Sequence, residues 1–94
     1  MNLNILEKLV KTIRDRKLNP KEGSYTNSLF EAGENKIVKK LGEEFAEFLK
    51  AYLKESDERI TSEFADLLYH FFVTLEYKDI KFEDVLSELE RRHK

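Results

Sequence analysis

Apolar side chains recur along this chain at helical intervals and nowhere with the two-residue alternation of a strand. Leu6, Leu9, Val10 and Ile13 follow the i, i+3, i+4, i+7 rule, and Asn4 with Glu7 has the spacing of a capping box, so a first helix is expected over about 4–17. Leu18-Asn19-Pro20 ends it, and the only proline together with Gly23 marks 18–24 as a loop. Ser24 or Thr26 can cap a short helix through Leu29, Phe30 and Ala32 that breaks near Gly33. A long helix is expected over about 34–54, with Lys50 and Lys54 at the negative end of its dipole. Ser56-Asp57-Glu58 then starts another over about 58–77, and Phe82, Val85, Leu86 and Leu89 define a last one over about 82–92. The reading is all-α, a bundle of about five helices in one domain over 1–94.

The two long helices carry a conflict. With each residue turning the helix by about 100° and Ile37 set at zero, Leu41, Phe45, Phe48 and Tyr52 lie within about 80° on one side. Glu44 falls about 20° to the other side, inside the stripe, and Glu47 near its edge at about 80°. Glu63 likewise lies about 60° from the centre of a stripe made by Phe64, Leu67, Leu68, Phe71 and Leu75. Burying ionised carboxylates without partners costs several kcal/mol each, so a cation, a basic partner or a raised pKa must offset it. Arg59 is spaced to answer Glu63 and Lys50 to answer Glu47, but no residue of the same stripe is expected to answer Glu44. The second long helix also carries Tyr69, Phe72 and Val73 off its main stripe, and a helix apolar nearly all round is buried. A chain of 94 residues has little left to cover it, which points to a core completed by a homodimer or a higher homo-oligomer.

Composition narrows the classes. Seventeen basic against nineteen acidic residues give a net charge of -2, without the broad basic footprint of a nucleic-acid binder. Cysteine is absent, which removes disulfides, zinc–thiolate sites and a cysteine nucleophile. The first residues lack the pattern of a secretory signal and no stretch reaches the roughly twenty apolar residues of a membrane span, so the expectation is a soluble cytoplasmic protein.

Residues three apart on a helix are neighbours, so Glu44 with Glu47 and Glu63 with Asp66 form two carboxylate pairs. The short connector makes their helices antiparallel neighbours, and the four acids become an all-oxygen cage. Hard divalent cations, Mg²⁺ first and Mn²⁺ as a possible substitute, prefer such ligands. Glu43 adjoins the cage at another angle, as a further ligand through water or as the base for an attacking water. A di-iron carboxylate bundle needs two Glu-x-x-His motifs, and only Glu90-x-x-His93 exists. Against all metal readings stands a non-catalytic helical dimerisation module whose acids are ion pairs on a charged surface.

Glu43-Glu44-x-x-Glu47 followed by Glu63-x-x-Asp66 resembles the signature of the all-α nucleotide pyrophosphohydrolases, the MazG-like superfamily. Gly23-Ser24-Tyr25-Thr26, Asn35-Lys36-Ile37, Lys40, Gly42-Glu43-Glu44 and Glu63-x-Ala65-Asp66-Leu67-Leu68-Tyr69-His70 narrow the resemblance to its phosphoribosyl-ATP pyrophosphohydrolase family. Asp84-Val85 and Leu89-x-Arg91 extend it to the C-terminal helix, while Lys39 and Phe45 depart from the pattern, standing where glutamine and alanine are common. The resemblance implies hydrolysis of phosphoribosyl-ATP to phosphoribosyl-AMP and pyrophosphate, the second step of histidine biosynthesis, or in a broader MazG-like reading the clearing of other nucleoside triphosphates. It implies Mg²⁺ on Glu44, Glu47, Glu63 and Asp66, with Glu43 catalytic. Lys36 and Lys40 are then expected at substrate phosphates, Tyr25, Thr26 and Asn35 at ribose or base, and Arg91 at a phosphate across a dimer interface. His70, one turn after Asp66, is either a partner of the cage or a satisfied histidine at a helix seam.

Overall fold

A computed structural model describes residues 1–93 and contains five α-helices: α1 (Asn4–Leu18), α2 (Tyr25–Ala32), α3 (Glu34–Lys54), α4 (Asp57–Tyr77) and α5 (Phe82–Arg92). No strand occurs among the described residues, so the all-α expectation is borne out, with boundaries close to those that periodicity and capping set. The longest packing seam runs between α3 and α4, with α1 against α4 and α2 bridging α1 and α3. Two residues, Glu55 and Ser56, join α3 to α4. That short connection makes the pair antiparallel and sets the first half of α4 beside the second half of α3.

The core is assembled from four helices. Val10 and Ile13 of α1, Leu29 of α2, Ile37 of α3, and Phe72 and Val73 of α4 form one buried cluster. Phe82 of α5 closes its edge, with its ring edge-on to Phe72 at 4.7 Å between centroids. Apolar positions therefore converge from α1, α2 and α4 on the start of α3, leaving the opposite end of the α3–α4 hairpin to carry acids.

The burial of α4 differs from the sequence expectation in one respect. Leu67, Phe72 and Val73 are buried, together with Glu63 and His70, whereas Phe64 and Phe71 of the expected main stripe are exposed. Periodicity detects apolar faces but does not rank two of them on one helix. The side that meets α1 is the buried one, and α1 is linked to α4 by charge as well as by packing. Lys17 Nζ donates to the Glu76 and Tyr77 carbonyls at 2.7 and 3.2 Å and pairs with Asp79 at 2.6 Å, satisfying carbonyls at the end of α4. Arg14 reaches Glu76 at 3.4 Å and Glu83 at 3.2 Å, joining α1, α4 and α5. The Arg14 hydrogen bond also holds the Glu83 carboxyl below its ordinary range.

Caps follow the sequence in two cases of three. Ser24 Oγ accepts from the Asn27 amide at 3.3 Å, and Ser56 Oγ from the Arg59 amide at 3.3 Å. Thr26, the alternative cap, lies inside α2 instead. The capping box expected at Asn4 does not form: Leu3 holds the cap position, and Asn4 is already helical, its amide donating to Asn2 Oδ1 at 2.9 Å. Because α1 starts at Asn4, the Asn4 amide is one of the orphan donors rather than the residue that serves them. Gly33 joins α2 to α3 at φ 93°, a left-handed conformation that favours glycine.

Candidate active site

On α3, Glu44 lies one turn after Lys40 and faces α4, while on α4 Glu63 and Asp66 are one turn apart and face back. Carboxylate oxygens of Glu44, Glu63 and Asp66 all lie within 4.8 Å of one another. Glu63 is buried at 6% exposure, Glu44 is half-buried and Asp66 is exposed, so the group opens to solvent on one side. Three like charges at that spacing repel strongly, and the two cations nearest them are one turn towards the N-terminus of each helix. Arg59 Nη2 bonds Glu63 at 2.5 Å, and Lys40 Nζ stands 3.5 Å from Glu43 and 3.8 Å from Glu44. Glu44 therefore has a basic neighbour that the stripe did not lead one to expect, because Lys40 sits at the stripe's edge and reaches in with a long flexible stem. The Lys40 ammonium is held above the ordinary lysine range, first by the charge the Tyr25 phenol carries when ionised, against desolvation, and then by Glu43 and Glu44.

Glu47 is exposed and stands outside the three-carboxylate group. Its place about 80° from the centre of the buried face of α3 gives the reason, since Glu44 is only about 20° from it. The expected Glu47–Lys50 pair is not made either: Lys50 reaches past the helix end to Glu55 at 3.9 Å. Glu43 is exposed, with one oxygen accepting from Lys40 and the other without a hydrogen-bond partner among the described residues.

A second cluster lies where α2 crosses α4. Tyr25 stacks on Tyr69 at 6.3 Å between centroids, and His70 stands edge-on to Tyr69 at 5.0 Å. The Thr26 hydroxyl bonds the Tyr69 phenol, whose pKa burial pushes up. His70 Nδ1 lies 2.8 Å from the Asp66 carbonyl and so donates to it, which leaves Nε2 as the acceptor that faces the Tyr25 hydroxyl at 3.5 Å. Of the two readings, the structure shows the satisfied buried histidine at a helix seam: its bond goes to the Asp66 backbone carbonyl and not to a carboxylate of the group. Asn35 and Lys36 are exposed in the first turn of α3 and make no side-chain hydrogen bond or ion pair with the described residues. Arg91 pairs with Glu88 on its own helix and makes no ion pair with α3 or α4.

Nothing in the local sequence singles out Asn27. It is buried, its Oδ1 accepting from the Lys21 amide at 2.8 Å and its Nδ2 donating to the Arg16 carbonyl at 2.6 Å. It fastens the 18–24 loop to the end of α1 and so fixes where Tyr25 and Thr26 start α2. An apolar groove of about 350 Å³ lies between α1 and α5, lined by Leu3, Leu6, Val10, Phe82 and Leu86. It lies apart from the carboxylates, and its mainly apolar wall does not suit a polyphosphate.

The carboxylate group could hold a hard divalent cation: it offers oxygen donors only, two of them at the mouth and one buried, within 4.8 Å of one another. A model of the phosphoribosyl-ATP pyrophosphohydrolase family matches residues 6–93. A phosphoribosyl-ATP pyrophosphatase of Sulfurisphaera tokodaii is 49% identical over 94 residues, covering all of both chains, and one of Clostridium acetobutylicum is 51% identical over 95% of this chain and 81% of its own. The histidine biosynthesis bifunctional protein HisIE of Caldanaerobacter subterraneus is 50% identical over 98% of this chain, which spans only 45% of that relative's length. With the match running from α1 to the end of α5 and taking in both acidic helices, the chain belongs to the phosphoribosyl-ATP pyrophosphohydrolase family.

Proposed function

We propose that this chain hydrolyses the α–β phosphoanhydride of phosphoribosyl-ATP, releasing pyrophosphate and phosphoribosyl-AMP, the second step of histidine biosynthesis. The observation that carries the reading is the convergence of Glu44, Glu63 and Asp66 oxygens within 4.8 Å in a chain of this family. Glu44, Glu63 and Asp66 would hold Mg²⁺, or Mn²⁺ in its place, with Glu47 as the next carboxylate along α3. Bound there, the ion would offset phosphate charge and lower the pKa of a coordinated water.

The chain's own residues supply the rest. Phosphoryl transfer asks mainly for orientation and charge stabilisation. Glu43 has one oxygen turned to Lys40 and one left to orient or deprotonate the attacking water. Lys40, already placed between Tyr25 and the acids, and Lys36 one turn before it meet the phosphates. The Tyr25–Tyr69–His70 stack, clasped by Thr26, presents the half-exposed Tyr25 ring to ribose or base, with Asn35 nearby in sequence. Arg91 is assigned to a phosphate bound by a second copy of the chain.

That second copy is part of the proposal. Val38, Phe45, Leu49, Tyr52 and Leu53 of α3 and Phe64 and Phe71 of α4 are exposed, an apolar surface that a homodimer would cover. No helix among the described residues is long and apolar enough to cross a membrane, which is compatible with the cytoplasmic location we assign.

Substitution Glu44→Gln keeps size and shape and removes one charge. The variant is expected to remain folded and helical while pyrophosphate release falls by at least about 100-fold, since the ion's contribution is several kcal/mol. Normal turnover by a folded variant would contradict the carboxylate site.

A further inference from the structure

Arg59 is the one ion-pair partner of the buried carboxylate Glu63 among the described residues. A guanidinium has five N–H donors. In Arg59, Nε donates to Glu55 at 3.2 Å and Nη2 to Glu63 at 2.5 Å, so two donors are used and three are left. The side chain is 51% exposed although both of its anchors are largely covered, at 26% and 8%. Two carboxylates thus hold Nε and one Nη2 hydrogen, while both Nη1 hydrogens and the second of Nη2 are left on a side chain half open to solvent. On the opposite helix Lys40 flanks the same group through Glu43 and Glu44.

We infer that Arg59 is a phosphate-binding residue of the site, its outer N–H groups taking the pyrophosphate portion of the substrate from the α4 side while Lys40 meets it from α3. This rests on the metal site proposed above. A pyrophosphate leaving group gathers charge on several oxygens at once, and a planar fork matches two of them where an ammonium matches one. Arg59 lies in the first turn of α4, where a positive charge is disfavoured by the helix dipole. Glu55 and Glu63 offset that, and the first-turn position sets Arg59 one turn before Glu63.

Arg59 has opposite effects on the two ligands, and this makes the inference testable. It competes with a divalent cation for Glu63, and it adds charge-assisted hydrogen bonds to phosphate. Isothermal titration of the whole chain with Mg²⁺ alone, and with inorganic pyrophosphate at saturating Mg²⁺, separates the two. In Arg59→Ala, Mg²⁺ is expected to bind as tightly as in the wild type or more tightly, while pyrophosphate binding weakens about tenfold or more. Arg59→Lys should restore only part of that loss, because lysine keeps the charge without the fork. Unchanged pyrophosphate affinity in Arg59→Ala would overturn the assignment. So would a parallel loss of Mg²⁺ and pyrophosphate affinity, which would mean that Arg59 does no more than hold Glu63. A wild-type chain that takes up no Mg²⁺ would overturn the metal site itself and this inference with it.

Discussion

Glu63 and Asn27 show how differently two buried polar residues can announce themselves. Glu63 interrupts an apolar stripe, so the helical count alone placed it against the core, where the structure has it at 6% exposure. Asn27 sits in Ser24-Tyr25-Thr26-Asn27-Ser28, a run that reads as a loop edge and a cap, and its burial depends on the distant end of α1. No local pattern carries that information. Its two hydrogen bonds satisfy backbone groups of Lys21 and Arg16, so Asn27→Ala is expected to cost about 1–3 kcal/mol, the desolvation penalty of the groups left unpaired. Urea unfolding followed by circular dichroism measures it, and a loss well under 0.5 kcal/mol would show that water replaces the side chain without penalty. Lys40 and Arg59 belong at this scale too. Each is a cation one turn ahead of a site carboxylate, and sequence spacing suggested the Arg59 pair but not the one between Lys40 and Glu44, because ranking partners by stripe ignores the reach of a lysine stem.

Between helices, local chemistry set the elements and tertiary contacts set their faces. Proline, glycine, serine caps and the 3.6-residue period located all five helices, since each signal acts within a turn or two of chain. Ser56 and Asn4 make a paired test of the cap assignments. Ser56→Ala removes an observed cap of α4 and is expected to lower stability by about 1 kcal/mol, whereas Asn4→Ala removes no side-chain cap and is expected to change it by less than about 0.5 kcal/mol. Equal losses in thermal unfolding would show that α1 is capped by Asn4 in solution. Which side of α4 forms the core was not legible, because Phe64 and Phe71 are as apolar as Phe72 and Val73. α1 packs on the buried side, its Lys17 and Arg14 reaching Glu76 across 59 and 62 residues of chain.

For the whole molecule, the same ambiguity becomes informative. The α3–α4 hairpin does three things on three faces: it packs on α1 and α2, it gathers Glu44, Glu63 and Asp66, and it leaves phenylalanines and leucines open. The carboxylates are gathered within one chain, and the open apolar face is where the proposed homodimer would form. Sedimentation or mass measurement at micromolar concentration is expected to give at least twice the 11.2 kDa chain mass, and a stable monomer would contradict the proposed homodimer. Family membership was legible because the acidic motif, Tyr25-Thr26 and the run after Asp66 are contiguous signals in the sequence. The geometry adds which carboxylates meet: three of the four expected ligands, with Glu47 apart. The carboxylate group is proposed to serve one substrate class. Its most direct test is pyrophosphate release by the wild-type chain with Mg²⁺ from phosphoribosyl-ATP, measured beside ATP and dCTP. Rapid release is expected from phosphoribosyl-ATP and little from the other two; equal or faster release from ATP or dCTP, or none from phosphoribosyl-ATP, would overturn this assignment.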